Sequence, residues 1–313
     1  MANSQLNKVN EALNKTLLRG SLDAVELSSE LASWLFNQRR GLMLRLLRDR
    51  TARIGLAILV LLMLLALATP LIAPHDPAVV SPSQRLAAPS REFPLGTDHL
   101  GRCLLSRLLY GARVSLASAG TASLLVMLMG VTVGAIAGYA GGWVDFLIMR
   151  VVDLLLAFPL LLLALAITGV LGVGLMSVLI GVVSVWWASY TRVVRALTLS
   201  LRERPFIEAA RAIGVSPARI VIRHVIPNVI ASIVVLSTIE MGRLLLVISG
   251  LSFLGLGVQP PTPEWGAMLN DGRAFLRTAP QLMLYPGLAI SLAVLGFNLL
   301  GDGLRDELDP RLK

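Results

Sequence analysis

The chain has 313 residues, 55% of them apolar and only 15% charged, with a mean hydropathy of +0.74. A soluble chain carries roughly a quarter charged residues. Here the deficit lies in apolar runs of about 20 residues, the length that crosses a bilayer core, which excludes a soluble globular protein and defines a polytopic membrane protein. The net charge of +9 does not mark a nucleic-acid binder, because Lys and Arg gather in segments bordering the apolar runs, where they set topology.

Residues 1–53 form a charged leader. Within residues 1–45, Leu6, Val9, Leu13 and Leu17 stand at helical spacing among Asn, Glu and Lys, which predicts a surface-lying amphipathic segment or a loose tail. The first apolar run follows this leader, so it is not a cleavable signal peptide. A first span is expected over 54–73, ended by Pro74, then a loop over 74–113 and a second span over 114–139. Residues 151–190 carry no charge except Asp153. As one helix they would extend about 60 Å, twice the bilayer core. The stretch must fold back, and Gly169, Gly172 and Gly174 mark the turn between spans three and four. Spans five and six are expected over 229–250 and 282–300, so residues 114–300 form a core of five spans with a polar loop at 191–228. The tail is 301–313, and no internal repeat is visible.

Basic residues orient the chain. With both termini inside, segments 1–53, 139–150, 191–228 and 301–313 carry 9, 1, 7 and 3 Lys or Arg, against 5 and 2 in outside segments 74–113 and 258–281. Twenty against seven supports cytoplasmic termini and a cytoplasmic 191–228 loop. The five arginines of 74–113 run against the rule, which a long loop tolerates.

That polar loop carries the strongest local signal. Arg204-Pro205 starts a helix, since proline is accepted in the first turn, with Phe206, Ala209, Ala210 and Ile213 on its apolar face. Gly214 fits the left-handed residue that ends a helix, and Ser216-Pro217 supplies the cap and first residue of a second helix. Pro227 precedes span five. Two short helices meeting at a glycine form a rigid knob; the plainer reading is an amphipathic connector. A phosphate-binding loop needs a lysine after a glycine run, and Lys8, Lys15 and Lys313 do not supply one. If ATP drives this protein, a partner chain hydrolyses it.

Within the spans, Gly130, Gly134 and Gly138 form a small-xxx-small ridge that permits close helix packing. Pro159, and Pro286 with Gly287, are candidate kinks, either moving during gating or static. Glu240 and Arg243, three apart on one helix, are an intramembrane ionisable pair: a pore or gate element, or a mutually neutralised pair against protein. His99 and Cys103 are four apart, so a helix would place both on one face, but a metal site needs more ligands and no His/Cys cluster exists. With a single cysteine there is no internal disulfide, and no convergent catalytic set stands out in the spans.

In this setting EAARAIGVSPARIVIRHVIP, residues 208–227, resembles the EAA motif of ATP-binding-cassette importer permeases. FPLGTDHLGRCLLSRLLYGARVSLAS (93–118) resembles a signature of dipeptide, oligopeptide and nickel permeases, with Cys103 where that signature usually has aspartate. MRVVDLLLAFPLLLLAL (149–165), GLSFLGLGVQPPTPEWGAML (250–269) and PGLAISLAVLGFNLLGDGLRDELDPRLK (286–313) extend the likeness over nearly everything after Ile54. The resemblance implies an all-α inner-membrane permease subunit that does no bond chemistry and binds no cofactor. It implies a second permease of similar fold, two ATPase subunits carrying ATP-Mg, and an external solute-binding protein. The ATPase-docking residues would be Glu208, Ala209, Ala210, Gly214, Ser216, Pro217 and Pro227. The solute expected is a di- or oligopeptide, the alternatives being nickel, a metal chelate or glutathione, or an ATP-independent channel.

Overall fold

The computed structural model describes residues 49–308, and the expectation for residues 1–45 lies outside them, as does the tail beyond 308. In chain order the helices are α1 (Arg50–Ile72), α2 (Leu104–Ala140), α3 (Gly142–Leu156), α4 (Leu160–Leu171), α5 (Leu175–Arg202), α6 (Pro205–Ala212), α7 (Pro217–Ile220), α8 (Ile226–Phe253), α9 (Trp265–Gly272) and α10 (Gln281–Leu308). Among the described residues the only β feature is an isolated bridge between Thr97 and Cys103. Segments of α1, α2, α5, α8 and α10 are long and apolar enough to cross a membrane, and α3 with α4, bent by 89°, are together apolar enough for a broken span or a re-entrant loop.

Three boundaries differ from the sequence expectation. Helix α2 starts at Leu104, ten residues before the expected span, and Arg107 in its first turn is neutralised by carboxylates. The expected segment 139–150 shrinks to a turn at Gly141 and Gly142, both at positive φ (67° and 54°), and α3 begins at once. Asp145 of this stretch is paired with Arg195 of α5. The chain reverses at Gly172 and Gly174 (φ 90° and 148°), whereas Gly169 stays helical inside α4.

The most extensive helix contact is between α2 and α5. A Cβ placed on Gly134 would stand 2.7 Å from Val194 Cβ, and one on Gly138 2.7 Å from Thr198 Cβ; one on Gly130 would strike Tyr190. The three glycines therefore form one strip of α2 lying directly against α5. On the other flank, Gly55 of α1 lies against the α10 backbone near Leu299 and Leu300, and Gly303 of α10 against Ala52. Small residues bring these backbones together because lipid supplies no hydrophobic drive for helix association and close van der Waals contact must replace it.

Two apolar cores result. One joins α2, α4, α5, α8 and the polar loop through Val126, Val182, Tyr190, Ile207, Ile220 and Ile248. The other joins α1, the start of α2, α8, α9 and α10 through Leu59, Leu104, Leu116, Leu245, Trp265 and Phe297. Helix α2 runs through both and carries a polar structure at each end.

Candidate docking and translocation sites

At the Ala140 end, α6 and α7 form the knob. Pro205 and Pro217 stand in the first turns of their helices, where a missing N–H costs nothing. Helix α6 ends in a Schellman motif: the Val215 N–H donates to the Ala210 carbonyl at 3.0 Å and the Gly214 N–H to Arg211 at 3.0 Å. Gly214 has φ 78°, and a Cβ there would meet nothing within 4 Å, so backbone conformation alone requires glycine. Ile207, Ala210 and Ile220 point into the core, while Glu208, Ala209, Gly214, Ser216 and Pro217 are exposed and Ile213 is 80% exposed at the tip. The Arg211 guanidinium lies over the Tyr139 ring at 5.3 Å, tying the knob to α2.

Two details depart from the sequence reading. Ser216 occupies the cap position, but its hydroxyl makes no capping hydrogen bond. The second helix is not a separate one: after four residues, α7 widens into a π-helical turn, Val221–Val225, and runs on into α8. Pro227 sits inside the first turn of α8 rather than ahead of it. Lacking an N–H, it cannot continue the ordinary ladder. The Ile226 N–H reaches back to Val221, and the Asn228 side chain donates to the His224 carbonyl at 2.6 Å. The knob is thus continuous with a membrane span.

In α8, Arg243 Nη1 donates to Glu240 Oε1 at 2.7 Å, with the Glu240 side chain 12% exposed and that of Arg243 66% exposed. A charge facing lipid is costly, so this face meets protein or water. Pro159 caps α4 at the 89° break that follows α3, where Asp145 and Asp153 of α3 pair with Arg195 and Arg192 of α5. Pro286 lies inside α10, which continues through it.

At the Leu104 end, the loop after α1 folds over the α2 start. Asp98 accepts from the N–H groups of Leu100 (2.8 Å) and Arg102 (2.9 Å), and Gly96 and Gly101 turn the chain at φ 78° and 76°. Arg102 Nε donates to Asp98 at 2.6 Å and its Nη2 to Asp271 of α9 at 3.1 Å; Arg107 Nη2 donates to the same Asp271 oxygen at 3.1 Å. Asp98, Arg102 and Arg107 are all buried. Glu264, also buried, caps α9 by accepting from Gly266 (3.0 Å) and Ala267 (2.8 Å), and Ser115 of α2 donates to it at 3.0 Å. Sequence reasoning passed over these groups, although Asp98 between two glycines and Glu264 before an apolar helix are readable cap and turn signals. His99 lies in the turn and Cys103 at the α2 cap, so they do not share a helix face. Among the described residues no three His, Cys, Asp or Glu groups converge on a metal position.

The long apolar helices and the exposed polar knob define a multi-pass membrane protein. Residues 130–313 match the family described as binding-protein-dependent transport system inner membrane component, and residues 37–89 the N-terminal TM domain of oligopeptide transport permease C. The chain belongs to this family of inner-membrane permeases, in its peptide and nickel class. It is 45% identical to the dipeptide transport system permease protein DppC of Alkalihalophilus pseudofirmus over 86% of this chain and 88% of that one. It is 45% identical to the nickel transport system permease protein NikC of Escherichia coli K12 (84% and 95% covered). The glutathione transport system permease protein GsiD of Pectobacterium atrosepticum is likewise 45% identical (86% and 90%).

Proposed function

We propose that this chain is the non-catalytic half-pore of an ATP-driven importer for di- or oligopeptides, with its termini and knob in the cytoplasm. A second permease of similar fold completes the pore and an external solute-binding protein delivers the peptide. Two ATPase subunits, which carry the ATP-Mg, dock on the knob through Glu208, Ala209, Gly214, Ser216 and Pro217, with Ala210 packed beneath them and Pro227 joining the knob to α8. Closure of the ATPases moves the knob, and the unbroken path through the π-turn carries that motion into α8. There the Glu240–Arg243 face lines the pore, and Pro159 and Pro286 are bend points of the moving helices. Gly130, Gly134 and Gly138 hold α2 to α5 as one body. The permease interconverts two packings, biased by ATP bound elsewhere.

The observation that carries this reading is the knob itself. It has a core-anchored base and an apolar tip, with Ile213 80% exposed, and it is covalently continuous with a span. The test is Glu208→Lys in the reconstituted transporter, with a dipeptide as solute and nickel as the competing one. Dipeptide uptake and solute-stimulated ATP hydrolysis should fall together while the subunits still assemble. Uptake coupled normally to hydrolysis would remove the knob as docking site, and uptake of nickel without peptide would shift the solute class.

A further inference from the structure

We infer that α3 lies in the bilayer surface on the knob side and holds the phosphate of an anionic phospholipid, with Arg150 as its contact charge. Helix α4 packs on α5, where Gly181 lies against Ala164 and Thr168, and α3 stands at 89° to α4. Asp145 and Asp153 are eight residues apart, about 12 Å along α3. Their partners Arg195 and Arg192 are only three apart, about 4.5 Å along α5. Both observations fit a helix that crosses α5 instead of running beside it. With 15 residues, α3 reaches about 22 Å, short of a bilayer core. It begins at Gly142, directly after α2 ends beside the knob.

The inner face of α3 is engaged by the bundle: Val152 is buried, and both carboxylates pair with arginines of α5. The outer face repeats at three and four residues. Trp143, Leu147, Arg150 and Leu154 are all exposed there, Trp143 by 77%. No salt bridge among the described residues includes Arg150. Its guanidinium lies over the Phe146 ring at 5.3 Å, and Phe146 meets Trp143 edge-on. A cation set among exposed apolar side chains is costly in hydrocarbon. It is stable among headgroups, where tryptophan also gathers and amphipathic helices lie. Two clefts share Gly142 and Phe146. One, of about 380 Å³, is completed by Trp143. The other, of about 280 Å³, is completed by Asp145, Met149, Arg150, Asp153 and Arg195. An apolar cleft running into a charged one accepts an amphiphile, its acyl chain beside Trp143 and its phosphate on Arg150, since a guanidinium pairs phosphate through parallel N–H donors. With Asp145 and Asp153 held by α5, the unmatched charge is that of Arg150, which selects an anionic headgroup over a zwitterionic one.

The experiment uses the complete transporter in nanodiscs that mix phosphatidylglycerol with phosphatidylcholine. Leu147→p-benzoylphenylalanine is irradiated first, and its adducts are identified by mass. Tightly held lipid is then counted by native mass spectrometry for wild type, Arg150→Gln and Arg150→Lys as the phosphatidylglycerol fraction is raised. We expect phospholipid adducts at position 147. Arg150→Gln should need roughly five times the phosphatidylglycerol fraction to retain the same lipid, the effect of losing one arginine near an anionic surface. Arg150→Lys should recover most of that retention, and raising salt should weaken the wild type toward Arg150→Gln. Adducts on a protein chain in place of lipid overturn the inference, because the face would then be a protein contact. Lipid adducts with equal retention in wild type and Arg150→Gln also overturn it, leaving α3 as a lipid-facing helix without a headgroup site. If the thermal midpoint shows that Arg150→Gln has lost its fold, the salt dependence of the wild type decides: retention of phosphatidylglycerol that salt does not weaken overturns the site.

Discussion

At the Leu104 end of α2, Asp98, Arg102 and Arg107 are buried and paired; at the Ala140 end the knob charges Glu208, Arg211 and Arg219 are exposed. The cap holds Asp98, Arg102 and Arg107 almost out of contact with solvent and ties the loop and the start of α2 to the distant α9. The knob rests on a few core contacts and one cation–π contact to Tyr139, and its helix caps lack side-chain hydrogen bonds. A buried ionic network has steep consequences when one member is removed, because its partners keep their desolvation cost. An exposed knob has little to lose in folding and is free to specialise for contact. The cap is built to stay still, and the knob is open to contact.

The largest effect that would break this comparison is expected at Arg102. Arg102→Ala leaves Asp98 buried beside a single remaining arginine and should destabilise the permease by about 3–5 kcal/mol. The check is the thermal midpoint in mild detergent, set beside Glu208→Lys, which should leave that midpoint unchanged. Equal midpoints for the two variants would mean that the cap is no more structural than the knob.

Gly214→Val comes next. A Cβ at Gly214 meets nothing within 4 Å, so the cost is the left-handed backbone alone, of order 1–2 kcal/mol. Gly214→Ala should carry nearly the same strain. Both should lower the stability of the isolated permease modestly and alike. If docking also suffers from bulk, Val should impair coupled ATP hydrolysis well beyond Ala, which sharpens the distinction between a fold defect and a contact defect.

The two ends were not equally legible in the sequence. Gly214, flanked by an apolar helix face and Ser-Pro, announced a helix end, and the structure places a Schellman motif there. The spacing of Gly130, Gly134 and Gly138 likewise announced a close-packed face without saying which helix it meets; α5 is set by long-range packing. Helix α2 begins within the segment expected as loop, where Arg107 pairs with Asp271, 164 residues away. Helix α3 begins within the segment expected between spans, where Asp145 pairs with Arg195, 50 residues away. Charges neutralised across such distances look solvated in one dimension. The π-turn was hidden too: Pro227 read as a boundary, and only the carbonyl register shows the helix continuing past it.

The smallest effect separates a cap residue from a capping bond. Ser216 stands at the N-cap of α7 in extended conformation (φ −61°, ψ 145°), yet its hydroxyl accepts no backbone N–H. Replacing a serine that does cap costs about 0.5–2 kcal/mol. Here Pro217 removes one of the orphan amides at the next position, and the Ser216 carbonyl still accepts from Ile220 at 3.0 Å, a bond alanine keeps. Ser216→Ala should therefore shift the thermal midpoint by less than about 0.5 kcal/mol equivalent, within the ordinary range of surface substitutions. Coupled ATP hydrolysis is the second readout. A stable Ser216→Ala permease with weakened coupling would assign the exposed hydroxyl to the ATPase contact. A clear loss of stability would instead mean that the knob depends on its caps as the Leu104 end depends on its ion pairs, and the contrast between the two ends of α2 would fail.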